Sequence, residues 1–242
     1  MKLKTAVIIP VYNEEQSIPK VINDIPKNVV NEIIVVNNNS TDKTVEAAKT
    51  AGATVLTETF QGYGAACLKG INYCKGKDFD IVVFLDGDYS DYPEEIIDVI
   101  KPIVEENYDF IIGSRVLGEK EKGALPFQSQ VGSIIAGVLI NFFWKVKYTD
   151  LGPFRAIKFD KLLELDMRDK WYGWTVEMQI KAARKKYKIN EVPVKYRKRI
   201  GKSKVTGTIK GTVMASVIIL KTIFTYALKK ESVKRRKEEW EK

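Results

Sequence analysis

Short apolar runs rich in β-branched residues recur through the first half of the chain, separated by longer segments of mixed polarity. Such runs predict buried strands, and the segments between them predict helices. The alternation implies a mainly parallel sheet with helices on both faces, so we expect an α/β fold. The predicted strands cover residues 5–12, 32–36, 53–57, 81–85 and 109–113, and the predicted helices cover residues 18–25, 44–51 and 62–75 and a segment that starts at residue 93.

The pattern changes after residue 115. Residues 117–130 are polar and contain glycine, which indicates a loop, and the strongly apolar residues 131–146 predict a helix. A turn and a short strand follow through residue 157. We then expect a helix that ends near residue 186 and a strand over residues 189–196.

The last apolar segment, residues 205–228, predicts one long helix with a basic continuation. Its most apolar part, residues 213–228, contains Lys221 and is short of the ~20 residues that a spanning helix needs. Three interpretations stay open, namely a helix on an anionic membrane surface, a contact with a second subunit, and a core-packing helix with a solvated tail. We divide the chain into a catalytic domain, residues 1–204, and this appendage, residues 205–242.

Polar side chains follow the ends of several predicted strands. Ligands of parallel α/β sheets bind at the carboxyl ends of the strands, so these side chains are expected to meet at one edge. The residues concerned are Glu14, Asn37, Asn38, Asp86, Asp88 and Arg115.

The strand over residues 81–85 ends in Asp86-Gly87-Asp88. Two carboxylates one residue apart repel each other and are costly to desolvate unless a cation lies between them. The pair therefore predicts a divalent metal that holds a diphosphate. In isolation, Asp-Gly-Asp is more typical of a plain turn, and the other polar residues at the same edge favour the metal site.

Charge and composition narrow the function. The chain has 242 residues, 45% of them hydrophobic, which suits a globular domain with a large core. Its net charge of +9 is concentrated from Lys181 onward and indicates a basic face that meets phosphate of a membrane or a substrate. Nucleic acid is not expected as a partner because no nucleic-acid motif is present.

The chain contains no histidine, so acid–base work falls to carboxylates, Lys, Tyr or the substrate. On a shared helix Cys67 and Cys74 would lie about 10 Å apart, too far for a disulfide, and reduced thiols favour a cytoplasmic protein. No signal peptide is expected, since the chain opens directly on a predicted strand.

Five ordered motifs lie between residues 5 and 204. They are Ile9-Pro10-Val11-Tyr12-Asn13-Glu14, Asn39-Ser40-Thr41-Asp42-Lys43-Thr44, Asp86-Gly87-Asp88, Gly113-Ser114-Arg115 and Arg199-Ile200-Gly201-Lys202-Ser203-Lys204. Together they resemble the inverting family 2 glycosyltransferases of GT-A fold, most closely the dolichyl-phosphate mannose and glucose synthases. The segment Asp150 to Arg155 is similar to a signature of that branch, with Pro153 at a position that usually holds glycine or serine. Residues 191–194 are characteristic of the same branch.

The resemblance implies a role for each residue at the predicted edge. Asp86 and Asp88 would hold Mg²⁺ or Mn²⁺, with Ser90 completing the coordination, and Arg115 would contact the diphosphate of a nucleotide-sugar. Relatives commonly have aspartate under the base, where this chain has asparagine, which leaves UDP- and GDP-sugars both open. The nucleotide pocket would be lined by Pro10, Tyr12, Glu14, Asn37, Asn38 and Asp86.

The acceptor implied by the resemblance is a polyprenyl phosphate held by Arg199, Ser203 and Lys204. An ionised phosphate needs no base, which suits a chain without histidine. Relatives place an arginine in the loop where this chain has residues 128–130, Gln-Ser-Gln, and this departure counts against the lipid acceptor. For a hydroxyl acceptor a carboxylate must act as base, and Asp150 is preferred over Glu177, which has Lys181 at i+4 as an alternative partner.

The sequence disfavours two other functions. A sugar-phosphate nucleotidyltransferase would need a glycine-rich loop near the N-terminus, and residues 9–15 contain no glycine. A non-catalytic membrane module would leave the two aspartates without a role. We therefore expect an enzyme on the cytoplasmic face of the cell membrane, peripheral and able to form a homo-oligomer through its last helix.

Overall fold

Seven strands and eight α-helices organise the described part of the chain. In a computed structural model, residues 3–201 and 209–228 are described, apart from the side chains of residues 209, 210 and 212. The strands are β1 (Thr5–Val11), β2 (Glu32–Asn37), β3 (Thr54–Thr57), β4 (Ile81–Phe84), β5 (Phe110–Ser114), β6 (Arg155–Lys158) and β7 (Ile189–Pro193). The helices are α1 (Ile18–Asp24), α2 (Thr44–Thr50), α3 (Tyr63–Cys74), α4 (Ile96–Glu106), α5 (Phe127–Trp144), α6 (Phe159–Glu164), α7 (Trp174–Arg184) and α8 (Ile209–Leu228), and the 3₁₀ turn Pro93–Glu95 precedes α4.

The strands form one sheet in the order β3-β2-β1-β4-β6-β5-β7. All neighbours are parallel except β6, which runs antiparallel between β4 and β5. The expected α/β class with a mainly parallel sheet is confirmed. Because of the reversed strand, the turn before Arg155 lies at the same edge as the carboxyl ends of β1, β4 and β5.

Both faces of the sheet are covered, as the continuous apolar run of β4 predicted. Val82 and Phe84 belong to the core that β4 shares with α3, α5 and α7. Ile81 and Val83 point to the opposite core, beneath α1 and α4. Cys67 is buried and free on α3, as is Cys74, in agreement with the expectation of reduced thiols.

Several predicted boundaries shift in the structure. Helix α5 begins at Phe127 rather than at residue 131, because the polar residues read as loop form its first turn after Pro126. It ends at Trp144, where Lys145 adopts a left-handed conformation with φ of 61°. Strand β7 ends at Pro193 instead of residue 196. Helix α6 was not predicted.

Helix α8 packs against α5 and α7, and Ile223 is fully buried in that contact. The Tyr226 hydroxyl donates to Glu177 Oε1 on α7 at 2.8 Å. One face of the helix thus joins the core, as one of the three open interpretations expected. The predicted domain boundary at residue 204 and the basic tail after residue 228 lie outside the described residues.

Candidate functional site

A cavity of about 440 Å³ lies at the carboxyl ends of β1 and β4. The residues that line it come from both strand ends, from the start of α3, and from segments far along the chain. They are Pro10, Val11, Tyr12, Glu14, Asn38, Gln61, Gly62, Tyr63, Ala66, Asp86, Gly87, Asp88, Trp171, Tyr172, Arg199 and Met214.

Asp88 is oriented at the cavity by the turn that follows it. Its Oδ1 accepts two hydrogen bonds from Ser90, one from the backbone N–H at 2.9 Å and one from the hydroxyl at 2.5 Å. Its Oδ2 accepts from Arg199 Nη1 at 3.0 Å. Ser90 itself is buried and does not line the cavity, so in this geometry it positions Asp88.

Asp86 lies beside Asp88 at the cavity floor. Burial and, next, the negative charge of Asp88 raise the pKa of Asp86 to about 7. The positive charges of Arg115 and Arg199 act in the opposite direction. A carboxyl in such surroundings gains most from a cation, because a cation offsets both the burial and the like charge.

The donor set fits a divalent cation bound together with a diphosphate. Among residues 3–201 and 209–228, no group of three acidic or thiol side chains is arranged to hold a metal alone. Mg²⁺ at phosphate sites typically takes one or two carboxylates and completes its shell with water and phosphate oxygens. Asp86 and Asp88 supply those carboxylates, and the open cavity leaves room for the remaining ligands.

Glu14 forms a second acidic group on the cavity wall. Its Oε2 accepts from the Ser17 hydroxyl at 2.9 Å, and its Oε1 accepts from Arg199 Nη2 at 3.0 Å. The Glu14 backbone N–H donates to Thr44 Oγ1 at 2.8 Å. The strand-end loop is therefore fixed to the start of α2.

The two asparagines after β2 have different surroundings. Asn38 lines the cavity, and its side chain donates to the carbonyls of Glu58 and Phe60 at 2.9 and 2.8 Å while accepting from Gly62 N–H at 2.7 Å. Its amide thus holds the loop before α3. Asn37 does not line the cavity, and its Oδ1 accepts from the Ser40 N–H at 3.0 Å.

A second cavity, of about 260 Å³, adjoins the first and shares Tyr63, Asp86 and Tyr172 with it. Burial and the charge of Asp86 keep the pKa of Tyr63 well above its usual value, so its phenol is neutral where the cavities meet. The remaining lining is Arg115, Gln128, Ser129, Gly132, Ser133, Leu151, Pro153, Thr175, Ala215, Ser216 and Ile219.

Arg115 lines the second cavity, and its guanidinium forms an ion pair with Asp150. Asp150 accepts from Arg115 Nε at 2.7 Å and from Nη2 at 2.8 Å, and its Oδ1 also accepts from the Ser133 hydroxyl at 3.2 Å. Burial opposes ionisation of Asp150, but the adjacent guanidinium outweighs it and holds the pKa of Asp150 below its usual value. Both oxygens are engaged, so this geometry favours a positioning role for Asp150 over the expected role as base.

Glu177 also lies away from both cavities. Its Oε2 accepts from the Asp169 N–H at 2.8 Å, and its Oε1 pairs with Lys181 Nζ at 2.8 Å. With the hydroxyl of Tyr226 also bound, Glu177 joins α7, α8 and the preceding loop. Lys181, at i+4, is thus the partner of Glu177 that the sequence suggested.

Of the three predicted acceptor-binding residues, Arg199 lies in the described part of the structure. The other two, Ser203 and Lys204, lie outside the described residues. Arg199 lines the first cavity rather than the second. The Ile200 N–H donates to the Asp88 carbonyl at 2.9 Å and so holds this segment against the turn that contains Asp88.

Two residues that line the first cavity and one buried carboxylate near Asp86 were not predicted. Trp171 and Tyr172 arrive on the loop before α7, whose position depends on Glu177 rather than on a strand end. Asp91 is 1% exposed, and neither carboxylate oxygen has a hydrogen bond to a described residue. Burial and then the charge of Asp86 raise the pKa of Asp91 well above its usual range. The sequence signal that could have identified Asp91 is its position three residues after Asp88.

The chain is similar in sequence to several known proteins. The sequence model described as Glycosyl transferase family 2 matches residues 6–165. An uncharacterized glycosyltransferase of Mycobacterium tuberculosis is 30% identical, over 90% of this chain and 96% of its own. A dolichyl-phosphate hexose transferase of Haloferax volcanii is 30% identical, over 88% of this chain and 92% of its own.

A solved structure shares the fold. Glucosyl-3-phosphoglycerate synthase from Mycobacterium tuberculosis, in complex with Mn²⁺, UDP and glucosyl-3-phosphoglycerate, superposes with a TM-score of 0.74 at 20% identity. The match covers 93% of this chain and 80% of that one.

Proposed function

The chain belongs to glycosyl transferase family 2, and from that premise we propose that it transfers a hexose from a nucleotide-diphosphate sugar to a polyprenyl phosphate, with inversion at the sugar carbon. The observation that carries the proposal is the junction of the two cavities. Asp86 lines both cavities, Asp88 lines the first, and Arg115 lines the second.

On the donor side, the first cavity takes the nucleotide. Pro10, Tyr12 and Glu14 line it, and the nucleotide is UDP or GDP. The chemistry that Mg²⁺ or Mn²⁺ supplies at such a site is neutralisation of the charge that grows on the leaving diphosphate. Asp88 would hold that cation with Asp86, and Arg115 would add a charge-assisted contact to the same diphosphate.

On the acceptor side, an ionised phosphate monoester is a nucleophile without a base. Both oxygens of Asp150 are bound to Arg115 and Ser133, and Glu177 is bound on its own helix, so neither is free to accept a proton. The name of the Haloferax relative points to the same acceptor class. Arg199, Ser203 and Lys204 remain the proposed phosphate ligands.

A hydroxyl acceptor is the second candidate. The name of the structural relative from Mycobacterium describes the glucosylated form of a small phosphorylated acid. In that case Asp150 would have to leave Arg115 to act as base. The phosphate acceptor requires no such rearrangement, which is why it is preferred.

The lipid acceptor calls for a membrane, and helices α5 and α8 offer a surface for it. Both line the second cavity and both expose large apolar side chains. By length and composition α5 could also cross a bilayer, a test that core helices pass too. We propose peripheral attachment at the cytoplasmic face, with the basic residues after 228 near anionic headgroups. The exposed residues are Phe127, Ile134, Ile135, Val138, Phe142 and Phe143 on α5 and Val213, Met214, Val217, Leu220, Phe224 and Leu228 on α8.

The test is transfer of labelled hexose from UDP- and GDP-sugars to a polyprenyl phosphate in detergent, beside a panel of hydroxyl acceptors. Transfer to the phosphate is expected with Mn²⁺ or Mg²⁺ and not with EDTA. Asp88→Asn should abolish it, whereas Asp98→Asn, at an exposed position on α4, should not. Full transfer in EDTA would remove the metal role, and transfer to hydroxyl acceptors alone would select the second candidate.

A further inference from the structure

Arg199 joins the two acidic groups of the first cavity. Its Nη2 lies 3.0 Å from Glu14 Oε1, and its Nη1 lies 3.0 Å from Asp88 Oδ2. The Arg199 side chain is 26% exposed, whereas each carboxylate side chain is 9% exposed. A single guanidinium therefore supplies positive charge to two largely desolvated carboxylates.

The contact with Asp88 occupies the oxygen that a cation would need. Asp88 Oδ1 already accepts two hydrogen bonds from Ser90, which fixes the carboxylate and turns Oδ2 toward the cavity. A divalent cation at Oδ2 would stand against the like charge of Arg199 at hydrogen-bond distance. Two cations that close to one oxygen repel strongly, so the two states exclude each other.

The backbone around Arg199 is fixed independently of this ion pair. Arg197 stacks on Tyr89 with its guanidinium carbon 3.3 Å from the ring centroid, and its Nε donates to the Tyr89 carbonyl at 2.7 Å. The backbone N–H of Arg197 donates to the Ser90 carbonyl at 2.9 Å. Release of Arg199 from Asp88 is consequently a side-chain movement on an anchored segment.

We propose that Arg199 is a built-in counter-ion that competes with the divalent cation for Asp88, and that its displacement frees the guanidinium for a second anion, the acceptor phosphate. This inference rests on the proposed function. The same guanidinium cannot pair with Asp88 and with a phosphate at full strength. Binding of metal and nucleotide therefore strengthens binding of the phosphate, and by linkage the phosphate strengthens binding of the metal.

The first test measures Mn²⁺ binding directly, from the free-ion signal in electron paramagnetic resonance, without nucleotide. Arg199→Gln should bind Mn²⁺ about tenfold more tightly than the natural chain, since a partly buried ion pair no longer opposes the cation. Arg199→Lys keeps the competing charge and should bind as the natural chain does. Lys198→Gln removes one positive charge at an exposed neighbour and should also leave the affinity unchanged.

The possible results distinguish failure of the competition from failure of the proposed transfer. Equal Mn²⁺ affinity in Arg199→Gln and the natural chain would overturn the competition and leave the proposed transfer intact. An equal gain in Lys198→Gln would also overturn it, because the effect would then be one of net charge. Absence of Mn²⁺ binding without nucleotide in every folded variant would overturn the competition at Asp88, whereas the metal role in transfer is decided by the experiment with EDTA.

The second test follows the released guanidinium. Binding of a short-chain prenyl phosphate in detergent is measured by calorimetry with and without Mg²⁺ and the donor's nucleoside diphosphate. We expect about tenfold tighter binding in their presence for the natural chain and no such gain for Arg199→Gln. Equal phosphate affinity in the two conditions for the natural chain would overturn the displacement step.

Discussion

Arg115 and Asp150 form a two-pronged ion pair, with Nε 2.7 Å from Oδ2 and Nη2 2.8 Å from Oδ1. The Asp150 side chain is fully buried and that of Arg115 is 11% exposed. Such geometry fixes the plane of the guanidinium before any substrate arrives. The guanidinium of Arg115, which we propose contacts the diphosphate, is therefore already in position before the substrate binds.

The first prediction concerns this pair. Asp150→Asn keeps the shape and removes the charge, so we expect kcat to fall about 100-fold with little change in the donor KM, because Arg115 loses its fixed orientation. Unfolding in urea should show a loss of about 3 kcal/mol, since a buried guanidinium is left without its partner.

The double variant Arg115→Gln with Asp150→Asn is the control. It should recover part of the stability, because no unpaired buried charge remains, and should stay inactive. Unchanged kcat in Asp150→Asn would show that the ion pair only supports the fold.

The second prediction is a pH dependence of metal binding. With a pKa of about 7 before metal binds, Asp86 is largely protonated below neutrality and must lose that proton to act as a ligand. Mn²⁺ affinity should therefore fall about tenfold for each pH unit below 7 and level off above it. Asp86→Asn should bind Mn²⁺ weakly and without this slope. A slope that persists in Asp86→Asn would assign the proton to another group.

The third prediction concerns the apolar surface of α5 and α8. Val138 and Val217 are 63% and 57% exposed, and replacing both by Ser should weaken binding to anionic vesicles about tenfold. Val104→Ser is the matched control, since Val104 is 50% exposed on α4, across the sheet. Sedimentation with vesicles measures the effect.

Transfer to a water-soluble prenyl phosphate should be unaffected in the double Ser variant. Undiminished vesicle binding together with a lower molecular mass in ultracentrifugation would instead assign the surface to a second copy of the chain.

The fourth prediction concerns Asn38. Asn38→Ala removes three hydrogen bonds that hold the loop before α3, and we expect a loss of about 2 kcal/mol in stability. Nucleotide affinity, measured by thermal shift with UDP and GDP, should fall for both nucleotides alike. A selective loss for one nucleotide would instead indicate direct contact between Asn38 and the base.

Much of this site could be predicted from the sequence, because a polar residue directly after a short apolar run indicates the end of a strand. Asp88 and Arg115 each follow a short buried run, and parallel strands bring their carboxyl ends to one edge. The neighbours of these residues were harder to foresee. The pairing of Arg115 with Asp150 depends on the antiparallel direction of β6, which a four-residue strand does not encode in its own pattern.

The long apolar segments illustrate a second limit. The first turn of α5 is polar where Gln128 and Ser129 line a cavity, so a polar segment that predicts a loop forms the wall of a cavity instead. In α8, Ile223 is buried while Val217 is exposed, and only the packing against α5 and α7 decides which face is which. Periodicity located these helices but not their orientation.

The position of β5 in the sheet has a consequence for synthesis of the chain. Strands β1 to β4 can pair with one another as soon as they leave the ribosome, because each has a neighbour among them. β5 has none, since its two neighbours, β6 and β7, both come later in the sequence. A nascent chain that stops before residue 155 therefore carries an apolar strand with both edges open, a state prone to aggregation. The edge of the sheet that carries Asp86, Asp88 and Arg115 is therefore completed late, when β6 inserts between β4 and β5, which both precede it in the sequence.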